Sequence, residues 1–345
     1  MDDYVKMMQN KQNIESHLDK GLDNCLNAEI ASGTITTISE GVQWLKKSYY
    51  YQRMVKNPHG YAISMADLQM DPSGHMVLLK KITEVVEQLN RARLIRFNRE
   101  TEQVYSTDMG RIASNYYINT ETMSYFMSHL KANTRPEMVL DHLAHATEFK
   151  QLDARKEETA ELNILVADCN LVQVSKHSAN EAPTKVLMLF ESYLRNWPLK
   201  TFSLISDMAY IVQNSARLLR ALFEIALQRN YSNLMKTTLD WCNILDKRVL
   251  PNTHIMRQFT LNCHVGKLTN ANAKVTRFGY IKDDIVYRLE QKQVSMEDLY
   301  AQDLRDAHRY IGPAYQDEMY KFVSYVPYLE TEISAQPITR TILKV

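Results

Sequence analysis

Two long runs free of both glycine and proline constrain this chain more than any other feature of its sequence. One extends from Pro136 to Pro183, the other from Pro198 to Pro251. A sheet must turn every several residues, so about 50 apolar-rich residues without a turn former are expected to fold as helices packed on one another. The whole chain agrees, with nine glycines in 345 residues against a usual share of about 7%. With 45% hydrophobic and 23% charged residues it can build a real core, and its length suits about two or three domains.

The N-terminal third has a different texture. Residues 39–56 carry apolar side chains at helical spacing (Val42, Leu45, Tyr49, Met54) until Pro58 stops them, which predicts one helix. A second helix is expected over about 75–93, with Val77, Leu78, Ile82, Val85, Val86 and Leu89 on its apolar side. LIRFN-RETE-QVYST then gives two short β-prone runs around a polar turn, the pattern of a hairpin. Thr107 or Asp108 can cap a further helix running through Arg111 to Tyr117. Helix, helix, hairpin, helix is the order of a winged helix with the hairpin as its wing. Towards the C-terminus, 264–285 reads as a loop or insertion. Short helices cover roughly 284–325 with a break at Gly312-Pro313, and Glu330–Val345 alternates like a single β-strand lacking a partner. Such a tail is expected to be mobile or to dock as an isolated extended segment.

The segment Phe202–Arg229 is one helix roughly 40 Å long. Leu204, Ile205, Met208, Ile211, Val212, Leu218, Leu219, Leu222, Phe223, Ile225, Ala226 and Leu227 cover most of its circumference. Its polar residues, Ser203, Asp207, Tyr210, Gln213, Asn214, Arg217, Arg220, Glu224 and Gln228, fall in one stripe. A helix so widely apolar is buried on most sides, so the stripe must face water, a polar partner or a channel. A plain solvated face is one reading. The other is a strand-binding rail, because Asn and Gln can bond bases or sugars, Arg pairs with phosphate or stacks, and Tyr offers a π face. Because the stripe lies outside the core, substitutions in it are expected to leave folding nearly unchanged.

Other candidates for chemistry are weaker. His142, His145 and Glu148 resemble a metal site in composition, but Glu148 lies about 120° from His142 on a helix; surface or boundary histidines are the better reading. Cys263-His264 is an isolated pair. Glu157, Glu158 and Glu161 read as a solvated helix face rather than a catalytic dyad. Cys25, Cys169, Cys242 and Cys263 have no paired-ligand spacing and are expected to be reduced core thiols of an intracellular protein. The sequence has no phosphate loop, no dinucleotide fingerprint and no nucleophile elbow. Net charge is +1, so any nucleic acid must be held by a local arrangement of charge. No apolar run of about 18 residues exists, so no membrane partner is expected.

NAEIASGTITTISEGVQWLKKSYYYQRMVKNPHGYAI, STDMGRIASNYYI, FSLISDMAYIVQNSARLLRALFEIALQRNY and QPITRTILKV follow one another in this chain. In that order they resemble the part of a Ski-two-like helicase cassette that follows its two RecA-like domains, in the manner of the large two-cassette RNA helicases. The phrasing of FSLISD, STD-x-GR and QPITRT is most similar to a first cassette of that kind.

The resemblance implies a mainly α chain. Residues 1–12 would end a second RecA-like domain, 13–128 form the winged helix, and 129–263 a helical bundle whose ratchet helix is 202–229. Residues 264–327 would be a loop plus a helix-hairpin-helix-like domain, and 328–345 the first strand of a truncated immunoglobulin-like domain of the fibronectin type III kind. MDDYVKMMQN accordingly opens as though part-way along a helix, as expected of a piece of a longer chain. The resemblance also places the strand-facing side of the ratchet helix at Tyr210, Gln213, Asn214, Arg217, Arg220 and Glu224, with Asn214 and Arg217 at strand-facing family positions. Only Gly312 stands where a glycine-rich phosphate-binding hairpin is expected.

The implied role is a single-strand-gripping accessory module, for RNA or DNA, of an ATP-dependent helicase in the nucleus or cytoplasm. Its partners would be motor domains in cis or trans and other subunits of a helicase complex. ATP and magnesium would bind the RecA-like domains, leaving this chain no cofactor and no catalytic site. The alternative is a protein-interaction scaffold related to a unit of the endoplasmic-reticulum translocation machinery. The chain by itself should hydrolyse no ATP, with or without RNA; turnover that co-purifies at constant specific activity would contradict this.

Overall fold

The computed structural model describes residues 4–5, 8–9, 14–64, 70–168, 181–195, 197–249, 253–260, 281–301, 316–327, 329, 332–339 and 343–344. Residues 264–280 of the expected 264–285 loop, the Gly312-Pro313 break, Cys169 and Cys263-His264 lie outside the described residues, while 283–285 open a helix. Cys25 and Cys242, expected in the core, are half-buried.

The first third builds α1 (Leu22–Ala31), α2 (Ile38–Lys46), α3 (Tyr49–Lys56) and α4 (His75–Arg91), then the hairpin β1 (Ile95–Asn98) and β2 (Gln103–Ser106), then α5 (Asp108–Asn115). The expected single helix over 39–56 is two. Ser48 interrupts it: its hydroxyl accepts from Tyr51 N, capping α3, and donates to Leu45 O at 2.6 Å. The break shifts the phase, so Tyr50 is buried and Tyr49, placed on the apolar side by periodicity, is 55% exposed. The hairpin has the expected register, Ile95 opposite Ser106 and Asn98 opposite Gln103. Thr36 extends it, its carbonyl accepting from Val104 N at 2.8 Å, before Thr37 caps α2. Leu26, Val42, Leu45, Leu78, Ile82 and Leu89 close this winged helix around one core.

The STD-x-GR phrase has a steric reason. Thr107 caps α5 by accepting from Gly110 N and donates to Leu94 O, pulling the helix onto β1. A Cβ at Gly110 would sit 2.1 Å from that same carbonyl, so only glycine allows the approach.

The bundle follows as α6 (Thr120–His129), α7 (Pro136–Ala144), α8 (Thr159–Asp168), α9 (Ala182–Arg195), α10 (Phe202–Gln228) and α11 (Ser232–Lys247). Residues 1–191 and 199–242 form one compact unit, so the winged helix and α10 share a body. A buried charge cluster ties three bundle helices together. Lys185 on α9 donates to Glu158, just before α8, and to Asp207 on α10, both at 2.7 Å, while Ser203 donates to Glu158. The side chains of Lys185 and Glu158 have no exposure. The expectation of a solvated Glu157–Glu158–Glu161 face is therefore corrected: Glu157 alone is exposed. Glu161 accepts from the Lys200 and Thr201 backbone and holds the start of α10. Periodicity within one helix does not reveal a lysine arriving from another.

The second unit, residues 192–198 and 243–345, contains α12 (Asp283–Gln291), α13 (Met296–Ala301) and α14 (Gln316–Val323). Met256, Ile285, Leu289, Met319 and Phe322 form its core. The tail departs from the expected unpartnered strand. It folds back on itself as β3 (Gln336–Pro337) and β4 (Leu343–Lys344), with Gln336 opposite Lys344, so each short strand supplies the other's hydrogen-bond partners.

Lys185→Met would take from Glu158 and Asp207 the buried lysine they share, leaving Glu158 the exposed Arg155, and removing one partner of a buried ion pair costs about 3–5 kcal/mol. Urea unfolding should show a loss of that size.

Candidate nucleic-acid interface

α10 runs as expected from Phe202 to Gln228, and Arg229 caps it. Leu204, Ile211, Leu218, Leu219, Leu222 and Ile225 are buried along it. Its solvent face is displaced from the polar stripe. The exposed residues are Phe202, Ile205, Ser206, Ala209, Gln213, Arg220, Leu227 and Gln228. At about 100° per residue their mean direction lies roughly 65° from that of the stripe. The stripe therefore straddles the edge of the solvent face, and its inner half turns into the protein.

The six candidate residues divide accordingly. Gln213 and Arg220 are exposed, Tyr210, Arg217 and Glu224 are half-buried, and Asn214 is buried. Asn214 donates to Tyr210 O at 2.8 Å and accepts from Arg217 Nε at 3.1 Å and from Arg217 NH2 at 2.7 Å. Arg217 NH1 also donates to the carbonyls of Tyr116 and Tyr117, just beyond α5. Glu224 accepts from the Tyr116 hydroxyl at 2.7 Å, and the Tyr210 hydroxyl donates to Glu148 O at 3.1 Å. These four side chains form a continuous polar seam fastening α10 to the winged helix and to the turn at Thr147–Phe149. Four of the five guanidinium N–H groups of Arg217 are spent in it. The expectation that the stripe lies apart from the fold is corrected for Asn214, Arg217 and Glu224: polar residues on a mostly buried helix found polar partners within the chain.

Sequence reasoning missed Tyr117. The expected helix through Tyr117 ends at Asn115, and Tyr117 takes a left-handed turn (φ 53°). The turn brings its carbonyl to Arg217 and leaves its ring 84% exposed. The doubled tyrosine of STDMGRIASNYYI was the available signal: one ring turns inward to Glu224 and the next outward.

Of the two histidines expected at the surface or its boundary, His145 is half-buried as expected and His142 is not. His142 is buried, with Nδ1 3.2 Å from the Tyr125 hydroxyl, and the His129 ring stacks on Tyr125. Burial and the neighbouring His129 and His145 hold the His142 pKa below the ordinary value, against the pull of Asp141. Glu148, buried, accepts from Asn119 N and Thr122 Oγ1 at the start of α6. Among the described residues no three His, Cys, Asp or Glu side chains come together as metal ligands, and no helix is long and apolar enough to cross a membrane.

Comparison with known proteins places this architecture. Residues 106–345 match the Sec63 Brl domain family. The chain belongs to that family. Residues 15–89, which hold α1 to most of α4, match a winged helix-turn-helix domain family.

Individual proteins align along nearly the whole chain. Activating signal cointegrator 1 complex subunit 3 of Rattus norvegicus is 34% identical over 350 residues, covering 99% of this chain. The U5 small nuclear ribonucleoprotein 200 kDa helicase of Homo sapiens is 31% identical over 347 residues, and the DExH-box ATP-dependent RNA helicase DExH14 of Arabidopsis thaliana 28% over 343, each covering 99%. The chain spans 15% of the length of each of these relatives. The resemblance to the C-terminal part of a Ski-two-like helicase cassette, and the mainly helical fold, are thereby borne out. In this Sec63 Brl family chain the match begins at Ser106, at the foot of the hairpin, so α5 and the polar seam to α10 fall inside it.

The seam has a pH signature. The hydrogen bond to Glu224, reinforced by burial and by the carboxylate charge, pushes the Tyr116 phenol from 10.0 up to about 12. The folded chain keeps this proton where the unfolded chain has lost it. The stabilisation is therefore whole below about pH 10 and fades as pH rises towards about 12. Thermal melts of the wild type and Tyr116→Phe should differ near neutral pH and converge across that window.

Proposed function

We propose that this chain is the strand-guiding accessory part of an ATP-dependent RNA helicase, and that α10 serves as its ratchet helix. Gln213, Arg220 and the ring of Tyr117 meet the single strand, and Arg217 bonds it with its remaining N–H. Asn214, Tyr210 and Glu224 hold that surface in place. The observation that carries this reading is that α10, buried over most of its length, keeps polar side chains on its open face about two turns apart at Gln213 and Arg220, beside an exposed tyrosine. Amide, guanidinium and aromatic ring are the groups that hold unpaired bases and phosphates. The relatives named as helicases support the same assignment. ATP and magnesium would act in RecA-like motor domains joined in cis or in trans, and the assembly would work in the nucleus or cytoplasm with other subunits of its complex.

A second reading, a protein-interaction scaffold akin to the translocation-machinery unit, draws on the same face. Phe202 is 83% exposed and Ile205 and Leu227 are 41% and 48% exposed, apolar patches suited to a protein partner.

The test is single-stranded RNA binding by the chain combined with its motor domains. Gln213→Ala with Arg220→Ala should weaken binding by about 1–3 kcal/mol and lower the salt slope by roughly 0.7 for the lost phosphate contact. Arg217→Ala should lower both affinity and melting temperature. Unchanged RNA affinity and salt slope in the double variant would reject the strand-guiding reading and leave the scaffold.

A further inference from the structure

The winged helix carries six arginines, and their ion pairing separates them. Arg53, Arg91, Arg99 and Arg111 each have a carboxylate partner, at 2.7, 3.8, 2.9 and 2.5 Å respectively. Among the described residues Arg93 and Arg96 have none, and both are exposed. The same two line one pocket of about 360 Å³ with Asn90, Ile95, Thr107, Met109 and Met127, between the end of α4, the first strand of the hairpin, α5 and α6.

The chemistry of that pocket is one-sided. Asn90 spends its Oδ1 on Phe97 N at 3.1 Å, so what it has left to offer is its amide N–H. The Thr107 hydroxyl is committed, donating to the Arg93 and Leu94 carbonyls and accepting from Gly110 N. Two guanidinium groups and an amide therefore offer donors, while Ile95, Met109 and Met127 give an apolar floor. A cation has nothing to bind there; an anion with a flat or apolar portion does. Beside the pocket, Tyr105 stands directly across the hairpin from Arg96 and is 54% exposed. Opposite residues on a strand pair share one face, so this ring and this guanidinium lie side by side on the wing. A phosphate on the arginines with a base on the neighbouring ring is the chemistry of single-strand binding; an acidic peptide would use the arginines but has no need of the aromatic ring.

We propose that this pocket is a nucleic-acid site on the winged helix, in which Arg93, Arg96 and Asn90 hold the phosphodiester of a single strand. The nucleotide rests on Met109 and Met127, and an adjacent base stacks on Tyr105. None of these residues belongs to the open face of α10, so the site stands whether or not α10 guides a strand.

The probe is a short single-stranded oligouridine added to the full chain carrying ¹³C-methyl methionine, with salt dependence measured by fluorescence anisotropy. The Met109 and Met127 methyl signals, assigned through Met→Leu variants, should shift on titration. Arg93→Gln with Arg96→Gln should abolish those shifts and lower the salt slope by roughly 0.7, the share of the one phosphate the two hold together. Because neither arginine has a carboxylate partner, melting temperature should hold. Tyr105→Ala should weaken binding severalfold and leave the slope unchanged. Methyl signals that stay still for the wild type, or a slope untouched by the double glutamine variant, would overturn the proposal. So would an equal response to an oligoglutamate peptide that is likewise lost in the double variant and indifferent to Tyr105→Ala. Methionine shifts that persist in Gln213→Ala with Arg220→Ala, while overall oligouridine affinity falls, would separate the two sites.

Discussion

Whatever α10 carries inward must find a partner, and most of the first unit is arranged around that demand. A helix buried along most of its length brings its polar side chains into low-dielectric surroundings, where an unpaired group costs more than its hydrogen bonds return in water. Asp207 is met by Lys185, which also holds Glu158. Tyr210 reaches the Glu148 carbonyl, and Asn214 turns back to the carbonyl of Tyr210. Arg217 and Glu224 are met by Tyr116 and Tyr117 from the winged helix. The helix is thus held at one end by a buried ion cluster and along its middle by a polar seam. The winged helix is part of the same body, not an appendage.

The seam relates stability to function in a way that a solvated stripe would not. Arg217 spends two donors on the carbonyls just beyond α5 and two on Asn214, so its orientation is fixed within the fold. A preorganised arginine loses less freedom on binding than one that must be ordered by its ligand. The left-handed turn at Tyr117 does two things at once, presenting a carbonyl to Arg217 and an open ring to solvent. The glycine-poor chain makes this turn with a tyrosine where glycine would be less strained, and so gains a side chain at that place.

Close approach is managed with similar economy. Gly110 is one of few glycines, and it sits where the backbone of α5 meets the Leu94 carbonyl. Asn27 on α1 donates to Gly110 O at 3.0 Å, so the contact that excludes a side chain is also tied down by one. This packing holds the start of α5 against Leu94 and α1.

The sequence by itself determined the mainly helical fold, the winged-helix order and the extent of the long helix. Each follows from local periodicity and punctuation: two turn-free runs, an apolar repeat at Leu78, Ile82 and Leu89, a polar turn between β-prone runs, and Thr107 as a cap. It also placed Gln213 and Arg220 on the open side of α10. Only the tertiary structure decided what the remaining stripe residues do. A helical projection gives the angle at which a side chain leaves its axis, but not what stands opposite. Lys185 is separated by 22 residues from Asp207, and Tyr116 by 108 from Glu224. Those partners convert Glu158 from a solvated charge into a buried one and spend four of the five N–H groups of Arg217 within the fold. The same limit hid the break at Ser48, the pairing of the C-terminal tail with itself, and the two arginines that have no carboxylate partner among the described residues.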